Sequence, residues 1–287
     1  MKKWNLVIDV AKCFNCNACA VACHDEYCGN EFPGYAAGMP RLGARWIDIR
    51  QREHGQCPMV EVAYLPVTCN HCDDAPCLEA ARDGAVKKRP DGIVIIDPEK
   101  ARGQRQLVDA CPYGAIWWNE EKQLPQAWPF DAHLLDAGWT KTRGAQVCAT
   151  RAMRVLHVED EEMQRIVREE GLQVLHPEYG TRPRVYYQNL DRYTKAFIGG
   201  TLAGAIGGVE ECVAGARVLL KRGGQTLAET TSDPYGDFRF AGLDEGSGAY
   251  RIEIADDRFA PQAVAAELGR STYLGTIALA PRAAARA

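Results

Sequence analysis

Short runs of alternating apolar and polar residues recur along this chain and predict strands in preference to long helices. In the first half they lie at 4–10, 46–49, 60–64 and 92–97. Alternation over four to eight residues is typical of a strand with one buried face. Each of these runs is followed by a turn, a cysteine-containing loop or a short segment of helical pattern. The first half therefore predicts a small α+β domain with chemistry in its loops.

The second half has a different pattern. Residues 159–172 place Met163, Ile166 and Val167 at helical spacing among charged residues, which predicts an amphipathic helix. Residues 173–200 contain proline and tyrosine and are expected to form an extended arm, either a plain linker or a segment that lies on a partner. Four further alternating runs separated by turn signals predict a β-sandwich of about 80 residues; they lie at 216–220, 238–240, 250–254 and 274–277.

Charge and hydropathy exclude several classes of function. The 287 residues carry a net charge of −4, and no basic run indicates a nucleic-acid or membrane-surface partner. The N-terminal residues enter a strand pattern directly and lack the apolar core of a secretory signal. The longest apolar stretch, residues 196–209, is too short and glycine-rich to span a bilayer. We expect a soluble, cytoplasmic protein.

Cysteine is the residue whose placement carries the chemistry. Nine of the twelve cysteines precede position 78, and seven of these form two tight groups. Close spacing directs several sulfurs at one centre, whereas disulfide scaffolds staple distant loops. The first group, with the spacing C-x2-C-x2-C-x3-C, is the bacterial ferredoxin run, in which three thiolates hold one [4Fe–4S] cluster and the fourth reaches a second cluster; it consists of Cys13, Cys16, Cys19 and Cys23. Zinc remains the weaker alternative.

The second group is a variant of the same loop, formed by Cys69, Cys72 and Cys77. Residues 97–112 have the length and flanking residues of a third cysteine group, but only its last cysteine, Cys111 before a proline, is present. The missing ligand positions all belong to a single site, and they hold Ala81, Ala101, Gln104 and Leu107. We therefore predict that Cys111 completes the second site and that one neighbouring cluster has been lost. Cys148 is the corresponding candidate to complete the Cys13, Cys16 and Cys19 site.

These motifs, together with several flanking segments, resemble the small subunits of pyrogallol–phloroglucinol transhydroxylases and the related resorcinol hydroxylases, within the dimethyl-sulfoxide-reductase superfamily of molybdopterin enzymes. The segments are Val7 to Cys13, Asn30 to Tyr35, Cys111 to Gly114, Ala132 to Asp136 and Pro183 to Tyr187. The resemblance implies a heterodimer whose large subunit holds the bis-pterin molybdenum centre and the aromatic substrate. This chain would supply clusters and no catalytic residue.

The chain departs from the family's pattern at a third cluster. Positions where that pattern has cysteine hold Trp128, Asp131 and Gly144, so only Cys23 remains. In one interpretation the cluster is lost and Cys23 is a buried free thiol. In the other, Cys28 and Cys57 rebuild a site with Cys23, with Asp131 or a histidine as a fourth ligand. Elsewhere, Cys212 has no cysteine neighbour and is expected to be a small buried apolar residue.

The sequence thus predicts an α+β protein with four regions. A ferredoxin-like domain of two pseudo-repeats spans 1–158, a helix and arm span 159–200, an immunoglobulin- or transthyretin-like sandwich spans 201–280, and 281–287 form a disordered tail. The predicted function is electron transfer beside a molybdopterin subunit, with an external electron acceptor if the reaction is a net hydroxylation. The alternative is a structural subunit whose clusters act as folding staples.

Overall fold

The computed structural model describes residues 1–282 of the chain and divides them into two compact units. The first unit comprises 1–51 and 63–190, and the second comprises 52–62 and the described residues from 191 onward. Of the predicted tail, 283–287 lie outside the described residues. The elements are, in chain order, β1 (Lys3–Asp9), α1 (Ala18–Tyr27), β2 (Ile47–Gln56), β3 (Met59–Thr68), α2 (Pro76–Ala80), β4 (Val86–Lys88), β5 (Val94–Ile96), α3 (Gln106–Asp109), β6 (Trp117–Asn119), β7 (Leu124–Gln126), α4 (Ala132–Asp136), α5 (Arg143–Val147), β8 (Met153–Val158), α6 (Asp160–Glu170), β9 (Val185–Gln188), α7 (Asp191–Thr194), β10 (Ala196–Ile206), β11 (Val209–Cys212), β12 (Arg217–Arg222), β13 (Gln225–Thr231), β14 (Asp237–Leu243), β15 (Gly248–Ala255), β16 (Gln262–Leu268) and β17 (Thr272–Leu279).

A three-stranded sheet supports the first unit. Its central strand β1 pairs antiparallel with β8 and parallel with β9. Helix α6 covers one face, where Met163 packs with Val7 and Tyr186. Three acidic residues in the first turn of α6 suit the positive end of the helix dipole. The amphipathic helix expected from the sequence is therefore present, and it closes the small core beneath the sheet.

Residues 173–190 differ from the extended arm that the sequence suggested, because they are built into the first unit. Gln173 and Tyr187 exchange backbone hydrogen bonds of 2.8 and 2.7 Å. Strand β9 then adds to the edge of β1, and the backbone N–H of Arg184 donates to Asn70 O at 2.9 Å. The boundary between units thus lies near residue 190. Proline and tyrosine indicated an irregular segment, but only the tertiary structure supplied the strand that pairs with it.

The second unit is built around two four-stranded sheets. In one, β10 pairs with β11, β14 and β17, and the other has the order β13-β12-β15-β16. Apolar residues of both sheets share one core, which includes Ile198, Leu202, Val218, Leu220 and Ile252, each fully buried. The predicted sandwich is thus present. Cys212, expected to be buried, is exposed instead, and the neighbouring Val213 is the buried residue.

Glu61 forms a buried ion cluster in the second unit. Its side chain is 6% exposed and accepts hydrogen bonds from Arg192 Nε at 2.7 Å and from Arg239 Nη2. The Arg239 guanidinium also lies 3.9 Å above the Phe197 ring. Burial opposes ionisation of Glu61, but the two arginines outweigh it and lower the pKa below its ordinary value of 4.5. The carboxylate is therefore charged near neutral pH.

No helix among residues 1–282 is long and apolar enough to cross a membrane.

Replacing Glu61 with glutamine should destabilise the second unit at neutral pH. The loss of charge-assisted bonds should cost about 2 kcal/mol, which for a unit of this size lowers the thermal midpoint by roughly 8 °C. Because the folded-state pKa is depressed, this stabilisation exists above the unfolded-state pKa and is lost as the pH falls through the folded-state pKa. Circular dichroism should therefore show the difference between wild type and Glu61→Gln narrowing as the pH falls below the ordinary pKa of a glutamate side chain.

The matched control is Glu229→Gln. Glu229 pairs with Arg217 on exposed neighbouring strands of the same unit, where solvent screens the pair. Little change in midpoint is expected for this variant. A Glu61→Gln protein as stable as wild type at pH 7 would contradict the assigned role of the cluster.

Candidate iron–sulfur centres

Four cysteines of the first unit lie close together at the end of β1. They are Cys13, Cys16, Cys19 and Cys148, here called the first thiol set, and electrostatic repulsion couples Cys13 and Cys19 to the other members. Asn15 and Asn17 adopt left-handed backbone conformations that wind the loop tightly around its sulfurs. The backbone N–H of Asn15 points at the Cys13 sulfur. The loop therefore gathers the three close cysteines that the spacing predicted.

Cys148 reaches the set because α5 packs closely against α1. It follows the last residue of α5 and caps that helix. At Gly144, within α5, an added Cβ would lie only 3.3 Å from Cys19 Cβ and from Ile47 Cδ1. A glycine at this point allows the two helices to approach, and the approach carries Cys148 to the sulfurs on α1.

The second thiol set lines a single cavity. It comprises Cys69, Cys72, Cys77 and Cys111, and the rest of the wall is largely apolar. Cys69 follows strand β3 directly, Cys77 lies on α2, and Cys111 follows α3. The backbone N–H of Ala115 donates to Cys111 Sγ at 3.4 Å. Four free thiols thus converge from three segments on one enclosed space.

Two basic side chains fix the loop that carries this set. Lys88 Nζ donates to the carbonyl oxygens of His71 and Cys72 at 2.8 and 2.9 Å and pairs with Asp73 at 2.9 Å. Arg184, which is 3% exposed, forms a bidentate pair with Asp73 at 2.6 and 2.7 Å. Burial opposes ionisation of Asp73, but bonds from Lys88 and then Arg184 lower its pKa. The loop is thereby held rigidly against β4 and β9.

Burial and mutual repulsion make these thiols weak acids in the protein alone. Burial, followed by Cys13, raises the pKa of Cys19 to about 12. Burial, followed by Cys111 and Cys72, raises the pKa of Cys77 to about 12. A metal centre needs thiolates, so its positive charge must displace these protons, and binding would release them. Gathering four sulfurs in apolar surroundings is costly unless such a centre offsets their charge.

The arrangement fits iron–sulfur clusters better than single metal ions. Among residues 1–282, no three His, Cys, Asp or Glu side chains converge closely enough to hold one ion. Zinc draws four ligands onto a single atom. A [4Fe–4S] cluster binds each thiolate to a different iron, so its ligands stand further apart around a cavity. Each set offers four thiols, which is the donor type and number that such a cluster uses.

Comparison with known proteins agrees with this chemistry. Residues 60–158 match the 4Fe-4S dicluster domain family. The pyrogallol hydroxytransferase small subunit of Pelobacter acidigallici is 45% identical over 90% of this chain and 92% of its own length. The chain belongs to the family of iron–sulfur small subunits of molybdopterin oxidoreductases. A tetrathionate reductase subunit of Salmonella typhimurium, 32% identical over 66% of this chain and 73% of its own length, is another member.

Membership in this family assigns an electron-transfer role and implies a catalytic partner subunit, since the relatives are subunits of multi-subunit oxidoreductases. It also confirms the resemblance inferred from the cysteine motifs. The 4Fe-4S dicluster match supports iron–sulfur clusters as the cofactors of this chain. The sequence predicts missing cluster ligands at two places.

The first of these places, the substituted site, is packed with protein. Ala101 and Leu107 are fully buried, and Leu107 belongs to a small apolar cluster with Val86 and Val94 that also contacts Ala81. The Gln104 amide accepts from Arg82 N at 2.9 Å and donates to Lys100 O at 2.8 Å. The positions that lack cysteine thus hold side chains that are packed or hydrogen-bonded within the protein.

The second place, the Asp131 site, is filled by a polar network. Asp131 is 1% exposed, and its carboxylate accepts from Trp128 Nε1 at 2.7 Å, Tyr27 Oη at 2.8 Å and the backbone N–H of Arg143 at 2.7 Å. Burial raises the pKa of Asp131, and these three bonds oppose the rise. Cys23, 2% exposed, lies beside Asp131 as a free thiol whose pKa is raised well above its usual value by burial and then by that carboxyl.

The other two cysteines of the rebuilt third site have different surroundings. Cys28 caps the C-terminal end of α1 and is not among the main groups acting on Cys23, which are Asp131, Cys19 and Glu26. Cys57 is exposed in the turn between β2 and β3, within the second unit. This arrangement favours the interpretation in which Cys23 is a buried thiol beside a filled space.

Sequence reasoning missed three features that position the sites. It did not find the network centred on Asp131, the roles of Lys88 and Arg184 in fixing the second loop, or the polar residue Asn70 in the cavity wall. Asp131 was the one of these features that the sequence hinted at. A carboxylate at a position where the family's pattern has a buried metal ligand needs hydrogen-bond donors around it. Nothing in local spacing indicated that Arg184, more than 100 residues later, pairs with Asp73.

Asp131→Ala should destabilise the protein without removing iron. The change removes the acceptor of three hydrogen bonds in the interior, which should cost about 3 kcal/mol or more and lower the thermal midpoint by about 6 °C or more. Iron analysis and anaerobic thermal unfolding of the purified protein test this together.

Asp136→Ala provides the control from the same helix, because Asp136 pairs with Arg89 at an exposed position. It should shift the midpoint much less. Loss of iron in Asp131→Ala, with the control intact, would instead identify Asp131 as a cluster ligand.

Proposed function

We propose that this chain is the iron–sulfur subunit of a heterodimeric molybdopterin enzyme that hydroxylates or transhydroxylates polyhydroxylated benzenes of the pyrogallol, phloroglucinol or resorcinol class. The substrate class follows from the 45% identity to the pyrogallol hydroxytransferase small subunit over 90% of the chain. The observation that carries the electron-transfer part is the convergence of eight free thiols into two sets of four.

We assign one [4Fe–4S] cluster to each thiol set. Cys13, Cys16, Cys19 and Cys148 would hold the first, and Cys69, Cys72, Cys77 and Cys111 the second. A third cluster at Cys23, Cys28 and Cys57 is disfavoured, because Trp128, Asp131 and Tyr27 satisfy one another beside Cys23. The molybdenum bis-pterin cofactor and the substrate site belong, in this proposal, to the larger partner subunit.

The residues of this chain would then act by holding and shielding the clusters. A [4Fe–4S] centre supplies one-electron transfer at a potential set by ligands, hydrogen bonds to sulfur and burial. Lys88 and Arg184 keep the second loop from opening, and the apolar wall limits water around its sulfurs. Transhydroxylation would require the clusters only to set the redox state of the molybdenum. A net hydroxylation would require them to pass electrons to an external acceptor.

Three finer assignments accompany this proposal. The first unit would consist of two ferredoxin-like pseudo-repeats, one for each thiol set. The sandwich of the second unit would be of the immunoglobulin or transthyretin type. We place the protein in the cytoplasm, where a reducing environment suits twelve cysteines of which none is in a disulfide.

Iron and sulfide analysis of the purified complex tests the cluster count. We expect about eight iron atoms per copy of this chain, beyond the molybdenum. Cys148→Ser and Cys111→Ser should each remove the contents of one site, about four iron atoms. Cys23→Ser and Cys212→Ser are the matched controls and should keep all of the iron. A wild-type value near ~12 iron atoms, with loss in Cys23→Ser, would restore the third cluster.

A structural role is the second candidate function, and one observation favours it. At the Asp131 site, side chains occupy a position where the family's pattern has a cluster, so the proposed chain has one electron-transfer centre fewer than that pattern. Rapid-freeze electron paramagnetic resonance of the assembled enzyme, mixed with substrate, separates the two candidates. Reduction of both clusters within a turnover supports electron transfer. Clusters that stay oxidised through many turnovers would support a scaffolding role.

A further inference from the structure

The wall of the second cavity contains buried polar atoms that have no protein partner. Asn70 is 2% exposed and His71 is 1% exposed, and both line the cavity with the four thiols. Within residues 1–282, neither the nitrogen nor the oxygen of the Asn70 amide has a hydrogen-bond partner, and neither does His71 Nε2. An unpaired buried polar group costs about 1–3 kcal/mol. Such groups are rare enough that their clustering around one cavity indicates a missing partner.

The unpaired nitrogen of His71 is a hydrogen-bond donor. The backbone N–H of Val94 points at His71 Nδ1 with a donor–acceptor distance of 3.1 Å. A backbone N–H can only donate, so Nδ1 accepts and the ring hydrogen of the neutral imidazole lies on Nε2. The cavity wall therefore offers two N–H donors without acceptors, the Asn70 amide and His71 Nε2.

Neighbouring groups hold the His71 ring in place. The residue has a left-handed backbone conformation, with φ of 46°. The rings of Phe130 and Trp128 lie edge-on to it at 5.1 and 5.8 Å, and Trp128 is itself fixed by its bond to Asp131. The network that fills the Asp131 site thus also supports the ring beside the second thiol set. These contacts restrict rotation of the His71 ring, so its Nε2 stays without an acceptor in the described part of the chain.

We propose that Asn70 and His71 donate hydrogen bonds to the sulfur atoms of the cluster bound by the second thiol set and thereby raise its reduction potential. This inference rests on the cluster assignment made above. Reduction adds an electron to the cluster, so N–H donors stabilise the reduced form more than the oxidised form. Removing one donor should shift the balance toward the oxidised cluster about tenfold, or about 59 mV for one electron.

Asn70→Leu is the decisive variant, because the Asn70 side chain makes no hydrogen bond that the protein would lose. Potentiometric titration of the intact complex, followed by electron paramagnetic resonance, should find one cluster about tenfold harder to reduce and the other unchanged. His71→Leu should act in the same direction, and His71→Gln, which keeps an amide donor and an acceptor for Val94, should restore much of the potential.

Ile116→Val is the matched control from the same cavity wall, because it shortens a buried apolar side chain and removes no hydrogen-bond donor. Its potential should stay near that of wild type. Two clusters with full iron content and unchanged potentials in Asn70→Leu and His71→Leu would overturn the inference and leave the cluster assignment standing. A wild-type complex without a cluster at the second set would instead overturn the assignment itself.

Discussion

The first unit depends on the cost of gathering four sulfurs in a buried, largely apolar space. Burial and mutual repulsion push the thiol pKa values of both sets upward, so the protein alone resists the thiolate form. An iron–sulfur cluster reverses this balance, because its irons neutralise the thiolates and bridge them. The left-handed asparagines of the first loop, the glycine on α5 and the ion pairs around Asp73 can all be understood as means of holding sulfurs that would otherwise separate.

The two filled places illustrate different solutions to the loss of a cluster. At the substituted site, leucine and alanine join an apolar cluster, and Gln104 satisfies nearby backbone groups. At the Asp131 site, a buried carboxyl gathers three donors from separate segments. Both solutions leave the surrounding loops in place. The second also shapes the neighbouring site, because Trp128 contacts the His71 ring in the wall of the second cavity.

This connection bears on how the chain would move electrons. In the proposed assignment, two clusters remain and protein occupies the position of a third. The reduction potentials of the two remaining clusters then matter more for electron transfer, because there is no third cluster to share in it. Donors such as Asn70 and His71 offer the protein a means of adjusting one potential without changing the ligands. The second unit contributes no cysteine to either thiol set, and its core and its ion cluster at Glu61 are self-contained.

Local sequence patterns were sufficient for several of the strands and for the amphipathic helix, and they predicted the membership of both thiol sets. Alternation predicted β1, β12 and β15, because a strand with one buried face must repeat every two residues. Cysteine spacing predicted which sulfurs lie together, because a short loop can direct its side chains at only one centre. Counting ligands by site then identified Cys111 and Cys148 as partners from distant segments, and the structure brings each to its set.

Other features depended on contacts between residues far apart in the chain, which no local pattern encodes. Strand β10 is rich in glycine and weak by propensity, yet it is central to its sheet. A Cβ at Gly204 would come within 2.4 Å of the Phe259 ring, so glycine is needed for that ring to pack there. Residues 173–190 became part of the first unit only through pairing with β1 and Asp73. The sequence by itself determined which atoms could bind a cluster, because ligand chemistry is local. The tertiary structure decided what fills the lost sites and which donors face the remaining ones, because burial arises only when distant segments meet.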